Sequence, residues 1–349
     1  MKTTGQIFFL SWEDLSYSRT GVIFNGLIHI GQNCEVVRVP RGKYLEIIKI
    51  IRNFKRSAPN GSLVVVGSPC SILTILCRVF WIRSKIIYDS GWPLIDGLIS
   101  RKSSRLKKIL DYWKLYLIDF AAYKVANLVA FESSVQRRLC TKKFLIPNAK
   151  TFVSYTGFNE SFYREVISAQ SMVYPQSNKV IFRGKYNLES GLEILAQASW
   201  FLQSNVKLIV VSPNIPKTVK FSPSVEIISR IISDSELFQY YETSALSIGQ
   251  LGDSHRIERT IPHKFYEAIY FGIPYLTEFS AAISELITTN DCFVYSKEWS
   301  AKDLAYQISN ILSNESTRKA VAESAKTKYS QNFSQANIVM NYLAQLAVI

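Results

Sequence analysis

Lys179-Val180-Ile181-Phe182-Arg183-Gly184-Lys185-Tyr186-Asn187-Leu188-Glu189-Ser190-Gly191 is the stretch on which the fold turns. It opens with a short apolar, β-branched run, Lys179–Phe182, and passes through a glycine into an amphipathic segment, Leu188–Phe201. A second apolar run, Val206–Val211, follows. Runs that are apolar on both faces suit strands of a parallel sheet covered by helices, so the succession reads as β-α-β. The same alternation extends in both directions. Upstream, strands are expected at Ile7–Leu10, Glu35–Val39, Leu63–Val66, Lys85–Tyr88, Leu128–Phe131 and Phe144–Ile146. Helices are expected between them at Val22–Ile30, Lys43–Phe54, Ser71–Ile82, Lys107–Ala126 and Ser133–Leu139. Downstream come strands Val225–Ile228, Ala245–Ile248 and Pro274–Leu276 and helices Asp234–Thr243, His263–Phe271, Ala301–Ser313 and Glu315–Ser330, with a last helix from Gln335. Ser233-x-x-Glu236 forms a capping box for one of these helices.

The pattern pauses between Asn159 and Asn178, where Tyr174-Pro175-Gln176-Ser177 marks a linker. Two doubly wound, Rossmann-like α/β domains facing a central cleft are therefore expected, over residues 1–160 and 179–332 with a linker at 161–178. A chain of 349 residues accommodates two such domains. In sheets of this kind the loops after the strands line the ligand crevice.

The composition narrows the class. With 48% hydrophobic and 19% charged residues the chain has ample material for cores, which argues against extensive disorder or fibrous structure. Five cysteines, Cys34, Cys70, Cys77, Cys140 and Cys292, form no C-x-x-C pair, which fits a reducing cytoplasm better than a disulfide framework or a zinc knuckle. The apolar run near the N-terminus ends at Trp12-Glu13-Asp14, short for a signal peptide, and reads as a buried first strand. The longest uncharged stretch, Gly61 to Cys77, is interrupted by Gly67-Ser68-Pro69 and reads as strand then helix rather than a membrane span. The net charge of +14 is uneven. Residues 1–150 hold 24 Lys and Arg against 9 Asp and Glu, and the remainder 17 against 18. A basic half beside a neutral half suggests an anionic partner for the first, unless the high pI has no specific meaning. Nucleic acid is not that partner, because no aromatic or helix-turn-helix machinery accompanies the basic residues.

The most specific local pattern is Pro262-His263-Lys264-Phe265-Tyr266-Glu267-Ala268-Ile269-Tyr270-Phe271-Gly272-Ile273-Pro274. A helix beginning near Pro262 presents free N–H groups and a positive dipole end, with Lys264 in its first turn and Glu267 one turn deeper on the same face. A cation and anion-binding amides beside a carboxylate suit a nucleotide, with diphosphate on the first and ribose hydroxyls on the second. A well-capped surface helix carrying a Lys–Glu pair is the alternative.

This segment resembles the donor-binding signature P-x-K-x-x-E-x-x-x-x-G-x-P of family-4-type glycosyltransferases, enzymes of the GT-B fold. Other stretches resemble the same family in order and spacing. They are Phe182-Arg183-Gly184-Lys185 leading to Ser190-Gly191, Ile146-Pro147-Asn148, Thr156-Gly157-Phe158-Asn159-Glu160-Ser161-Phe162, Ser233–Ser247 and Asn332-Phe333-Ser334. Together they span most of residues 85–345. The resemblance implies that residues 333–349 form a C-terminal helix returning to the first, acceptor-binding domain, and that the second domain binds a nucleotide-sugar through Gly184, Lys185, Lys264 and Glu267. Three positions depart from the family. Arg259 stands where a first glutamate is usual, with Glu258 one step away; Ser190 replaces a lysine, leaving Lys185 and Arg183 as phosphate cations; and a histidine loop is replaced by Asp89-Ser90-Gly91-Trp92-Pro93. In addition, the family's glycine-rich loop after the first strand is absent, Arg19-Thr20-Gly21 being the nearest match.

Catalytic roles are expected for Asp89 and Glu267, with Asp96 the other nominated carboxylate of the first domain. Asp89 would bind a sugar hydroxyl or act as base toward the acceptor, unless it caps the turn after its strand. No D-x-D motif occurs, and neither a metal nor another cofactor is expected. The function implied is transfer of a sugar from a nucleotide-diphosphate sugar to a glycan or lipid-linked acceptor in cell-surface polysaccharide synthesis, with retention. A nucleotide-sugar epimerase-like enzyme and a degenerate, non-catalytic binding partner are the alternatives. The segment 101–117 joins Arg101, Lys102, Arg105, Lys107 and Lys108 to an amphipathic stretch with Trp113, an arrangement expected to hold the protein on the anionic inner face of a membrane. Alternatively Leu110, Trp113 and Leu117 pack inward.

Overall fold

A computed structural model describes residues 6–12, 15, 19–57, 62–67, 70–80, 84–98, 105–164 and 177–347. The expected linker residues 165–176 and the basic residues Arg101 and Lys102 lie outside that set. The chain divides into two units, Met1–Tyr163 with Ser334–Ile349, and Arg164–Phe333.

In the first unit β1 (Ile7–Ser11), α1 (Arg19–His29), β2 (Cys34–Arg38), α2 (Tyr44–Ser57), β3 (Leu63–Val66) and α3 (Ser71–Phe80) come first. Then follow β4 (Lys85–Gly91), α4 (Arg105–Val125), β5 (Leu128–Phe131), α5 (Ser134–Phe144), β6 (Thr151–Val153) and a short α6 (Glu160–Tyr163). The strands form one parallel sheet in the order β2-β1-β3-β4-β5-β6. This is the flavodoxin-like variant of the doubly wound sheet. The expected strand Phe144–Ile146 does not form. Phe144 ends α5, and Leu145 caps it in the left-handed conformation at φ 51°, so this apolar run closes a helix.

The second unit contains β7 (Lys179–Arg183), α7 (Leu192–Ala198), β8 (Lys207–Val211), β9 (Glu226–Ile228), α8 (Asp234–Glu242) and β10 (Leu246–Ile248). It continues through α9 (His263–Tyr270), β11 (Tyr275–Glu278), β12 (Phe293–Tyr295), α10 (Ala301–Ser313) and α11 (Glu315–Lys328). Its parallel sheet runs β12-β11-β10-β7-β8-β9, which counted within the unit is the Rossmann order 3-2-1-4-5-6 read from the far edge. Helix α7 is shorter than the expected Leu188–Phe201, because residues 188–191 form the turn that leads into it.

Helix α12 (Gln335–Leu346) returns to the first unit, and the sheet's alternation explains why. Phe8, Leu10, Val64, Val66, Ile86 and Tyr88 face a layer with Ile47, Leu73 and Tyr123. Ile7, Phe9, Val65, Ile87, Leu128 and Phe152 face the opposite side, where α1 alone would leave them half covered. Ile338, Val339, Tyr342 and Leu343 of α12 complete that layer, each side chain contributing roughly 1.5–3 kcal/mol by its burial. Gln335 pins the helix, with Nε2 donating to the Val22 carbonyl at 2.8 Å and its backbone N–H donating to Glu160 at 2.8 Å.

Helix α4 is buried only in its C-terminal half, around Asp119, Ala122 and Tyr123. Its first turns stand out from the unit, and Leu106, Leu110, Trp113 and Leu117 are 77%, 71%, 56% and 61% exposed. The inward packing of Leu110, Trp113 and Leu117 is therefore not what the structure has. Among the described residues no helix is long and apolar enough to cross a membrane.

Candidate donor site

In a doubly wound sheet two neighbouring strands send their connections to opposite sides, and a crevice opens beyond their C-terminal ends. In the second unit those strands are β7 and β10. The first ends in Arg183-Gly184-Lys185 and the second in Ile248-Gly249-Gln250. The loops after them meet backbone to backbone, which requires glycine. Gly191 has φ +64°, and a Cβ there would lie 2.5 Å from the Leu251 carbonyl carbon and 2.7 Å from the Gly252 nitrogen. Gly252 is pressed in turn against the Leu188 carbonyl, and its N–H donates to Glu189 O at 3.3 Å.

Helix α9 follows β10 and delivers its side chains into this crevice. Pro262 at its N-cap has an extended conformation and offers no side-chain cap, so proline occupies a position where its missing N–H costs nothing. Lys264 is 7% exposed. Its ammonium donates to the Gly249 carbonyl at 2.6 Å and lies 4.1 Å from the centre of the Phe182 ring. A Cβ on Gly184 would be 3.9 Å from the same nitrogen, so Lys264 joins the ends of β7 and β10. Burial, with Arg183 nearby, lowers its pKa to about 7.

Glu267 is 1% exposed and is surrounded by donors. Tyr241 Oη donates to Oε2 at 2.7 Å, His263 Nδ1 is 3.0 Å from Oε1, and Arg183 Nη2 is 3.3 Å from Oε1. Burial alone would raise this carboxyl, but Arg183, His263 and Tyr241 together outweigh it and hold the pKa at about 2. The group is a buried anion at neutral pH. It holds the Arg183 guanidinium beside the end of β7.

The residues expected from the sequence divide between the two units. Gly184, Lys185, Lys264 and Glu267 all belong to the β7/β10 crevice, with Lys185 exposed on its rim. Ser190, where a lysine was expected, closes the turn instead: its hydroxyl donates to Asn187 O at 2.7 Å. Glu258 is committed to the backbone of the next loop, accepting from Ala281 N–H at 3.2 Å, and Arg259 ends a short 3-10 turn. Asp89 belongs to the first unit. It is 1% exposed, accepts from Arg19 Nε at 2.7 Å, and lies 3.5 Å from Thr20 Oγ1. Arg19 also donates to the Ser154 carbonyl, so Asp89 anchors the start of α1 over the sheet. Asp96 is buried in a 3-10 turn near Asp119, whose carboxyl is pushed up to about 6 by burial despite donors from Ser71 and the Ile95 N–H.

The sequence marks Arg183 only as an accessory phosphate cation and does not show Tyr241 and His263 as partners of Glu267. His263 was within reach, because a residue at i−4 on a helix lies over the same face. Tyr241 comes from another helix and leaves no local signal. Among the described residues no three His, Cys, Asp or Glu side chains are grouped to hold a metal ion.

No protein-family model matches the chain, and no curated protein matches it in sequence. Solved structures do match it in three dimensions. HepE of Anabaena in complex with UDP-glucose superposes with a TM-score of 0.68 at 14% identity, over 99% of this chain and all of that one. Sucrose-phosphate synthase of Thermosynechococcus elongatus gives 0.71 at 12% identity, over 99% and 100% of the two chains. WaaG, a glycosyltransferase involved in lipopolysaccharide biosynthesis, gives 0.66 at 16% identity over 96% and 98%. With two parallel α/β sheets and a returning C-terminal helix matched over nearly the whole length, the chain has the GT-B fold.

Proposed function

We propose that the protein is a glycosyltransferase that takes a sugar from a nucleotide-diphosphate donor bound in the β7/β10 crevice. The observation that carries this reading is the convergence of Arg183, Lys264 and Glu267 at the switch point of a Rossmann-ordered sheet. A diphosphate leaving group develops negative charge as the glycosidic bond breaks, and preorganised cations in a poorly solvated site stabilise it without reorganising. Lys185, Arg183 and Lys264 fill that role and no metal is required. Glu267 accepts a ribose hydroxyl, as its counterpart does in the family it resembles, and Asp89 orients the start of α1 in the acceptor-binding unit. Transfer proceeds with retention to a glycan or lipid-linked acceptor in cell-surface polysaccharide synthesis. HepE, a chain of the same fold, was solved with UDP-glucose, which supports a nucleotide-sugar donor.

The exposed surface of α4 supports a reading of where the protein works. Leu106, Leu110, Trp113 and Leu117 recur at helical spacing on its exposed turns, with Lys107, Lys108 and Lys114 beside them. Cations contribute about 1 kcal/mol each at an anionic surface, and apolar side chains then enter the interfacial layer. This supports work at the inner face of a membrane, where a lipid-linked acceptor is presented.

Ser190 and Arg259 favour one second reading, a donor-binding protein without transfer activity. Calorimetry with nucleoside diphosphates and their sugars, in excess EDTA, tests the shared part. Submillimolar binding that falls roughly ten- to a hundredfold in Glu267→Gln is expected, the effect of removing one charged hydrogen-bond partner. No binding by any nucleotide would remove both readings. Binding abolished by EDTA and restored by magnesium or manganese would overturn the metal-free chemistry.

A further inference from the structure

The second unit holds a cavity that the donor site does not use. It has a volume of about 130 Å³ and lies where the edge strand β12 meets α10 and the start of α11. We propose that it is a second ligand site, one that takes a single ring of a neutral saccharide.

The lining is of two kinds. Phe293, Ile311 and Trp299 make an apolar floor, and Trp299 is fixed by an edge-on contact with Tyr295 at 5.6 Å between ring centres. Gln307, Asn310 and Asn314 supply a rim of neutral amides, and no charged side chain lines the cavity. Gln307 and Asn310 lie one turn apart on α10, and among the described residues their amides make no hydrogen bond within the protein. Asn314 is partly committed, because its Oδ1 accepts from the Thr317 N–H at 3.1 Å.

Each amide both donates and accepts. That duality matches hydroxyl groups, which do the same, and an indole floor matches the C–H face of a pyranose. An uncharged lining gives no reason for a phosphate or carboxylate to enter. A cavity of roughly 150 Å³ holds benzene and drug-sized ligands occupy about 300–1,000 Å³, so a pyranose, larger than benzene, seats its C–H face here with its hydroxyls toward the rim. A base with its ribose is too large. The edge position leaves the rim open, so the ring can be one residue of a longer glycan that continues into solvent. This inference does not depend on the donor reading.

Saturation-transfer NMR on the full chain with the methyl glycosides of glucose, galactose and mannose, and with uridine as the nucleoside control, tests it. At least one glycoside should show transfer that falls fivefold or more in Gln307→Ala/Asn310→Ala, a surface variant chosen to leave the core intact. Trp299→Phe should weaken the signal and Trp299→Ala abolish it. The proposal fails if no glycoside gives transfer, if the double variant keeps the wild-type signal, or if uridine alone responds through these residues.

Discussion

Glu267→Gln removes the charge around which the α9 cluster is organised, and its cost can be worked from the geometry. Arg183, His263 and Tyr241 hold the carboxylate at about 2 against an ordinary value of 4.5. A folded-state pKa depressed by that much corresponds to about 3 kcal/mol of stability at neutral pH. The contribution is fully present above the unfolded value and disappears as the pH falls from about 4.5 toward about 2, with roughly half remaining at pH 3. Glutamine is close to isosteric, but turns an amide dipole toward the half-buried Arg183 guanidinium and loses the charge. Urea unfolding of wild type and variant at pH 7 and pH 3 separates this electrostatic account from a packing defect. The expected gap is about 3 kcal/mol at pH 7 and about half that at pH 3. A gap of equal size at both pH values, or one below about 1 kcal/mol at pH 7, would refute the reasoning.

Lys264 provides a second test, because burial holds its pKa at about 7 and a diphosphate beside it must raise that value. Nucleoside-diphosphate binding at pH 8 should take up close to one proton, seen as an enthalpy that varies with the buffer's ionisation enthalpy, and Lys264→Met should abolish the dependence; a buffer-independent wild-type enthalpy contradicts it. Gly191→Ala forces a Cβ against Leu251 at φ +64° and should destabilise by more than about 1 kcal/mol in urea unfolding, whereas wild-type stability would show that the two loops are not in contact. The protein should co-sediment with anionic but not neutral liposomes, less so as salt rises. Charge reversal at Lys107, Lys108 and Lys114 should release it, and an unchanged variant would remove α4 from the docking surface.

Much of this fold was readable in the sequence, for a physical reason. Strands buried on both faces must be apolar throughout, and Ile7–Leu10, Leu63–Val66 and Val180–Phe182 stand out as unbroken runs. Strands β6 and β12 carry weaker signals, each being three residues long at a sheet edge, with Val294 of β12 40% exposed. Phe144–Ile146 misled in the opposite way, being apolar because a helix end is buried there. The site was legible where its residues share one helix. His263, Lys264 and Glu267 lie within a single turn and a half, with His263 bonded to Glu267 and Lys264 to the Gly249 carbonyl. It was illegible where partners come from elsewhere in the chain. Asp89 reads as a cleft carboxylate in the sequence, whereas its partners Arg19 and Thr20 stand 70 and 69 residues earlier and leave no local signal.

The central claim is sugar transfer, and one measurement addresses it directly. The purified full-length protein is incubated in EDTA with a panel of nucleotide-diphosphate sugars and lipid-linked glycan acceptors, and the acceptors are weighed by mass spectrometry. The account predicts that one donor adds a single hexose-sized increment to an acceptor, and that Glu267→Gln and Lys264→Met reduce the yield while remaining folded. A protein that binds a nucleotide-sugar tightly yet leaves every acceptor mass unchanged would contradict it.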